Sequence, residues 1–245
     1  GYEGFWRSIK HYTSKNKLKN VETIDLKKSI EVTTGQNLDW FFKQWVYEPG
    51  FPKYDVSWNY NQRNKLLSLR VKQVQDLKTT SLFKMPVNIL IDNGQIEEHV
   101  IWVEDLDSVF KIKSDKRPKM VIFNSGLKVP SNLKMQKSVS DLKYQLVNAP
   151  NVLDRIWASQ QLSNKKGRKI VEYALLQSAK KDSFWAVRSA AYSSLGKLKT
   201  KATKEDFHWI KNNEIDNRVK RSFIRSLRHQ LDDIDASRFL EDVVI

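Results

Sequence analysis

Hydrophobic spacing divides the chain into three stretches. In residues 1–52 apolar positions recur three and four apart: Phe5, Ile9 and Tyr12, with Trp6 beside them, predict an amphipathic helix over 3–14. Leu26, Ile30 and Thr33 predict a second helix that starts at Thr23, a residue able to cap the free amides, and stops at Gly35. A third is expected over 38–47, where Trp40, Phe41, Trp45 and Val46 place large side chains on successive turns. Pro49 and Pro52 cannot continue it and Gly50 can take a positive φ, so Pro49-Gly50-Phe51-Pro52 predicts a hard turn.

Beyond that turn the period changes to two. Val56, Trp58 and Tyr60 alternate with polar residues, Asn61-Gln62-Arg63-Asn64 reads as a turn, and Leu67, Leu69 and Val71 alternate again. Val87, Ile89 and Ile91 lead into Asp92-Asn93-Gly94, a turn that favours positive φ, and then into Ile96 and Val100 to Val103. Weaker strands are expected at 109–112 and 120–123, giving six or seven strands in an antiparallel β-sandwich that ends near Gly126. Past Val129-Pro130 the helical period returns. Residues 151–162, 182–195 and 216–228 resemble one another: Arg155, Ala158 and Leu162 recur as Arg188, Ala191 and Leu195, and Val187, Ser194 and Leu195 recur as Val219, Ser226 and Leu227. A period of 32–33 residues predicts stacked helix pairs. The copy at 182–196 resembles a HEAT-type repeat, in which Arg188 is expected to pair with an acid of the neighbouring copy.

The expected fold is therefore multidomain α+β, with a short helical segment (1–52), an antiparallel β-sandwich (53–127) and HEAT-like helical repeats (128–245). The aromatic stretch, above all Trp40, Phe41, Trp45, Pro49, Gly50 and Pro52, is expected to clamp the first two together, with a ligand-stacking site as the alternative. Trp6, Trp40 and Trp45 ordinarily pack on more protein than three short helices supply, which predicts an exposed apolar patch.

Charge adds a bias toward one end. The chain of 245 residues has a formal net charge of +15, of which residues 126–245 contribute +10, residues 53–125 +3 and residues 1–52 +2. Arg218, Lys220, Arg221, Arg225 and Arg228 recur at near-helical spacing, and Arg218, Arg221, Arg225 and Arg228 form a candidate face for an anionic partner, against the alternative of a solvated surface. Lys165-Lys166-Gly167-Arg168-Lys169 is expected to turn between repeat helices, and the clusters at 104–107 and 232–235 to be solvated turns or helix starts.

Chemistry is sparse. With no cysteine, disulfides, thiolate catalysis and thiolate metal sites are excluded, and the redox compartment stays open. His11, His99, His208 and His229 lie far apart and none begins H-E-x-x-H, the spacing that brings two imidazoles to one zinc ion with a glutamate beside them. There is no G-x-S-x-G, and the eight glycines are too scattered for a phosphate-cradling loop. No run of about 18 apolar residues suggests a membrane span. Nothing marks a signal peptide at Gly1-Tyr2-Glu3-Gly4, and a start without Met is expected of a piece of something longer.

The order of helices, strands and helical repeats, together with Gly35, Leu38, Phe41, Phe42, Trp45, Gly50 and Pro52 in the pattern G-x-x-L-x-x-F-F-x-x-W-x-x-x-x-G-x-P, resembles the aminopeptidase N-like zinc metallopeptidases. Phe5-Trp6, Tyr12, Thr23 and Leu26 look like the helices that precede this pattern in the family. The likeness is specific over residues 4–58 and one of domain order beyond them. It implies the end of a catalytic domain, then a β-domain, then a helical domain that in relatives covers the cleft. The family's zinc ligands, catalytic glutamate and tyrosine and its G-A-M-E-N-like motif all precede these residues. The implied reading is a non-catalytic C-terminal region with no cofactor of its own. Zinc would belong to the parent enzyme, and the partners would be the preceding domains of the same polypeptide and its peptide substrates. Arg221 and Arg225 would be candidates to hold a peptide's carboxylate. An interaction scaffold from an inactive relative is the alternative; nucleic-acid binding through the basic repeats ranks last, since no aromatic and basic residues interleave. The compartment is not legible.

Overall fold

The computed structural model describes residues 1–165, 169–230 and 232–244 of this mixed α+β chain. Its first part holds α1 (Tyr2–Lys15), α2 (Thr23–Thr34) and the single-turn α3 (Asp39–Phe42). The start of α2 lies one residue from the expected cap: Glu22 takes the cap position, and its amide donates to the Asp25 carboxylate at 3.0 Å. Gly35 ends the helix in a left-handed conformation, φ +70°. The single helix expected over 38–47 divides into α3 and a π-helical turn, Lys43–Tyr47, closed by the Glu48 amide donating to the Lys43 carbonyl. The wider turn brings Gln44 and Trp45 onto the start of the third strand, contacts that offset the poorer helical geometry.

Seven strands follow. β1 (Lys53–Asn61), β2 (Leu66–Gln73), β5 (Asp107–Lys113) and β7 (Asn132–Met135) form one sheet in the order β5-β2-β1-β7; β3 (Met85–Asp92), β4 (Ile96–Val103) and β6 (Met120–Phe123) form the other in the order β4-β3-β6. Inward residues of both, among them Tyr54, Val56, Leu69, Ile89, Val103 and Phe123, share one core. One strand corrects the antiparallel, 127-terminated expectation: β7 pairs parallel with β1. The chain leaves β6 in the other sheet and crosses to the side of β1 away from β2, where it runs parallel. Asn132-Leu133-Lys134-Met135 is too short and polar to announce itself as a strand.

The remainder is helical: α4 (Val139–Asn148), α5 (Val152–Leu162), α6 (Lys169–Lys181), α7 (Trp185–Leu198), α8 (Lys204–Asn213), α9 (Asn217–Ser226) and α10 (Ile234–Val244). The three similar segments fall on α5, α7 and α9, with α5 against α7 and α7 against α9 over one core. Their shared arginines do equivalent work. Arg155 donates to the Asp182 carboxylate (2.8 and 3.1 Å) and the Ala149 carbonyl, while Arg188 donates to Glu214 (2.8 and 2.9 Å) and the Asp182 carbonyl. Each ties its own helix start to an acid 26 or 27 residues ahead. At Gly196 even a Cβ would lie 2.9 Å from the Ser226 Cα, so the close approach of α7 to α9 needs a glycine. The basic turn expected at 165–169 lies outside the described residues over 166–168.

A buried polar network joins sheets to helices. The Lys137 ammonium, between β7 and α4, donates to the Val121 carbonyl of β6 and to Gln145 Oε1 of α4, and lies 5.6 Å from the Trp157 ring of α5. Gln145 donates onward to the Asp154 carbonyl, and the Asp154 carboxylate accepts from the Ser125 hydroxyl (2.7 Å) and the Gly126 amide (3.0 Å). Burial pushes Lys137 down to about 7, because Asp141 and Asp154 only partly offset the lost hydration of its charge. Burial likewise raises the Asp154 carboxyl, against the hydrogen bonds from Ser125 and Gly126.

The unfolded chain, with Lys137 near its ordinary 10.5, holds a proton that the folded chain releases above about pH 7. The cost of burying this charge is therefore fully present below that pH and is relieved as pH rises. Stability is expected to climb between pH 7 and 9 by up to about 1.4 kcal/mol per unit, and Lys137→Met to flatten the climb, as read from urea unfolding at each pH.

Candidate functional site

The first two helices are packed inside out. The residues buried between α1 and α2 are hydroxyls: Ser8 hydrogen-bonds Thr33 Oγ1 at 2.6 Å and donates to the Gly4 carbonyl at 2.7 Å, Arg7 donates to the Thr33 carbonyl at 2.7 Å, and Ser29 is also buried. The rings of α1 face outward, with Tyr2 80%, Phe5 56% and Trp6 52% exposed, the apolar patch expected around Trp6. An open groove of about 750 Å³, lined by Tyr2, Phe5, Ile30, Leu38 and Phe41, runs beside them. A second of about 650 Å³ is lined by Tyr12, Val21, Ile24, Leu26 and Tyr47. Monomeric proteins rarely leave so much contiguous apolar surface in water.

The helix pair is held to the sheets through the aromatic stretch. An ion pair between Lys27 and Asp39 ties α2 to α3, and the Leu38 amide donates to Glu31 at 2.9 Å. The buried Gln44 side chain then pairs with the Lys84 backbone as a strand would, donating to its carbonyl at 2.9 Å and accepting from its amide at 3.0 Å. Trp45 donates to the Met85 sulfur at 2.9 Å and lies 4.9 Å from Phe83; Trp40 stands edge-on to Trp102 at 5.7 Å. Phe41 points away from the sheets into the larger groove. Gly50 has φ +93°, and a Cβ there would lie 2.5 Å from the Thr80 hydroxyl; Pro52 is buried and its carbonyl accepts from the Asn132 amide at 3.1 Å. Pro49 stands exposed at the turn. Trp40, Trp45, Gly50 and Pro52 are thus brought together at the joint, while Phe41 belongs to the open face.

Arg218, Arg221 and Arg225 of α9, and Arg228 just past its end, all lie at the surface but differ in what they touch. Arg218 is engaged at the surface: it grips Asp216 at 3.0 and 2.6 Å and stacks 3.5 Å over the Trp185 ring, joining the start of α9 to α7. Its hydrogen bond holds the Asp216 carboxyl down at about 2. Arg221, Arg225 and Arg228 are exposed. His99 lies by Glu97, His208 by Asn212 and His229 by the Thr200 carbonyl. Among the described residues no three His, Asp or Glu side chains converge to hold a metal ion.

Sequence reasoning missed Gln44 and Lys137. An amide in the middle of an aromatic run was a usable signal for the first. Lys137 carried none, being one basic residue in a basic half.

No protein-family model and no curated protein sequence matches the chain. Solved structures do. One is aminopeptidase A of Legionella pneumophila in complex with aspartic acid, similar over 100% of this chain with a TM-score of 0.65 and 19% identity. At that identity the likeness is one of fold: the chain shares the architecture of part of an aminopeptidase. It spans 30% of the length of that protein.

Two outcomes are expected. Gly50→Ala should lower stability by about 1–3 kcal/mol in urea unfolding, with Thr80→Ala in the same chain, which removes both the hydroxyl and the methyl that the new Cβ would meet, recovering only the steric part. The chain at high concentration should self-associate and bind an apolar-surface dye; Phe5→Ser with Trp6→Ser should reduce both and leave the unfolding temperature within about 2 °C.

Proposed function

We propose that the chain is a non-catalytic C-terminal region of an aminopeptidase N-like zinc metallopeptidase. In this reading residues 1–52 close the catalytic domain, the two sheets form a β-sandwich domain and the helical half is a HEAT-like domain that covers the cleft. The observation that carries it is the inside-out pair α1–α2, which leaves Tyr2, Phe5 and Trp6 in water at the end of a chain whose fold spans only 30% of an aminopeptidase. The preceding domains would bury those rings. A cover of this kind acts by limiting which peptides enter and by sequestering the site from bulk water, not by moving protons. Zinc and its ligands would lie in the preceding domains. Arg221 and Arg225, exposed and outside the Asp216 and Trp185 contacts that engage Arg218, would be placed to meet the carboxylate of a bound peptide.

The full polypeptide that carries these residues is expected to release N-terminal amino acids from peptides and to lose that activity to a zinc chelator, while the 245-residue chain alone releases none. An inactive full polypeptide with a degraded H-E-x-x-H would favour the scaffold instead. Arg221→Gln with Arg225→Gln in the active protein should raise peptide KM by several-fold and leave kcat for aminoacyl amides, which have no C-terminal carboxylate, unchanged.

A further inference from the structure

Charge is sorted among the helices. α6, α8 and α10 carry Glu172, Glu205, Asp206 and Asp235, whereas the only acid of α5, α7, α9 and the turn Leu227–Gln230 is Asp154, whose carboxylate is taken by Ser125 and Gly126. Arg155, Arg188 and Arg218 each grip an acid in a connecting turn, Asp182, Glu214 and Asp216. Lys197, Arg221, Arg225 and Arg228 are exposed and have no ion pair or side-chain hydrogen bond among the described residues. Arg221 and Arg225 stand four apart on α9, an arrangement of like charges that costs a helix stability unless something neutralises it. The acids that follow, Asp232 and Asp233, belong to the start of α10, where Asp233 accepts from the Asp235 and Ala236 amides. Beside the arginines α7 is low. Ser189 and Ser193 hold the repeat positions that Arg221 and Arg225 hold one copy later, and the Ser189 hydroxyl donates to the Arg218 carbonyl at 3.4 Å, which sets this row against α9. Short hydroxyls next to long guanidinium groups make a shallow trough with one basic wall.

We infer that this trough over α7, along the basic face of α9, is a docking surface for an acidic stretch of extended polypeptide. Helical rise puts Arg221 and Arg225 about 6 Å apart along the axis, and alternate residues of an extended chain are about 6.7 Å apart, so carboxylates at every second residue meet the two in turn. Each guanidinium can take a carboxylate through two parallel hydrogen bonds. Lys197 and Arg228 lengthen the row at the end where Gly196 meets Ser226. Nucleic acid fits less well: single strands are held by stacking bases on rings, and here Tyr192 and Phe223 are buried and Trp185 lies under Arg218. A second copy of this chain would bring its own +15 to the surface. The inference rests on the proposed cover for the origin of such a peptide, and it extends one terminal carboxylate to a row of side-chain carboxylates.

The test uses the full 245-residue chain and a fluorescent, acetylated and amidated octapeptide of alternating Glu and Ser, which has no terminal carboxylate. The comparison ligands are the same peptide with Gln in place of Glu and a strand of eight thymidine nucleotides. The Glu/Ser peptide is expected to bind, with an affinity that falls as salt rises, and the Gln/Ser peptide is not. Arg221→Gln with Arg225→Gln, at exposed positions and with folding verified by circular dichroism, should weaken binding by roughly tenfold or more. Ser193→Glu, which puts a like charge in the trough, should weaken it by a similar factor. Lys10→Gln with Lys17→Gln, exposed on and just after α1, removes the same net charge and should change binding by less than about twofold. Equal weakening by the two double variants, unchanged binding by Ser193→Glu, equal binding of the Gln/Ser peptide, or no binding up to millimolar peptide would overturn the inference. Tighter binding of the thymidine strand would also overturn it, by making nucleic acid the occupant. An inactive full polypeptide, with peptide binding by the 245-residue chain intact, would instead refute the proposed parent activity and leave this surface standing.

Discussion

A single side-chain amide carries the first helices on the rest of the molecule. Gln44 presents its oxygen and nitrogen to the amide and carbonyl of Lys84, so that a helical side chain supplies the two hydrogen bonds a neighbouring strand would have made at the start of β3. Buried as it is, the amide cannot be traded for an apolar residue without leaving both backbone groups unpaired. The π turn that places Gln44 there is accompanied by the Trp45 contact with Met85 and the Trp40 contact with Trp102. What lies on the far side of this joint, α1 and α2, buries the hydroxyls of Ser8 and Ser29 between its helices and leaves the rings of Tyr2, Phe5 and Trp6 exposed.

The other end is attached by a different device. Lys137 is surrounded by a carbonyl, an amide oxygen and an indole face, a set that replaces much of the hydration of an ammonium group without placing a carboxylate in direct contact. Asp154, one step away, spends its hydrogen bonds on Ser125 and Gly126 and so fixes the turn that leads from β6 toward β7. Sheets and helices are thereby registered through groups that have to be oriented as well as buried, a stricter condition than apolar packing imposes.

The periodic parts of the fold were legible from sequence because periodicity reports which face is buried. The first two helices, the strands from 53 to 123 and the helices at 151–162, 182–195 and 216–228 fall where spacing put them, and the Arg188 pairing follows from its place in the repeat. Three features escaped. β7 is four residues long and owes its existence to the vacant side of β1, which is a property of the sheet and not of the segment. The π turn arises from contacts some 40 residues away. The burial of Lys137 depends on three elements meeting. The outward-facing rings of α1 show the opposite limit: amphipathic spacing correctly marked an apolar face, but spacing says nothing about whether the partner for that face lies within the same stretch of chain.

The arginine ladder has a direction. Arg155 reaches forward to Asp182 and Arg188 forward to Glu214, so each guanidinium is made before its acid. During synthesis at about 5–20 residues per second, each waits roughly one to five seconds for its partner to be added. The carbonyls that share each guanidinium, Ala149 for Arg155 and Asp182 for Arg188, precede it in the chain, so the acid is the last-made partner of each rung.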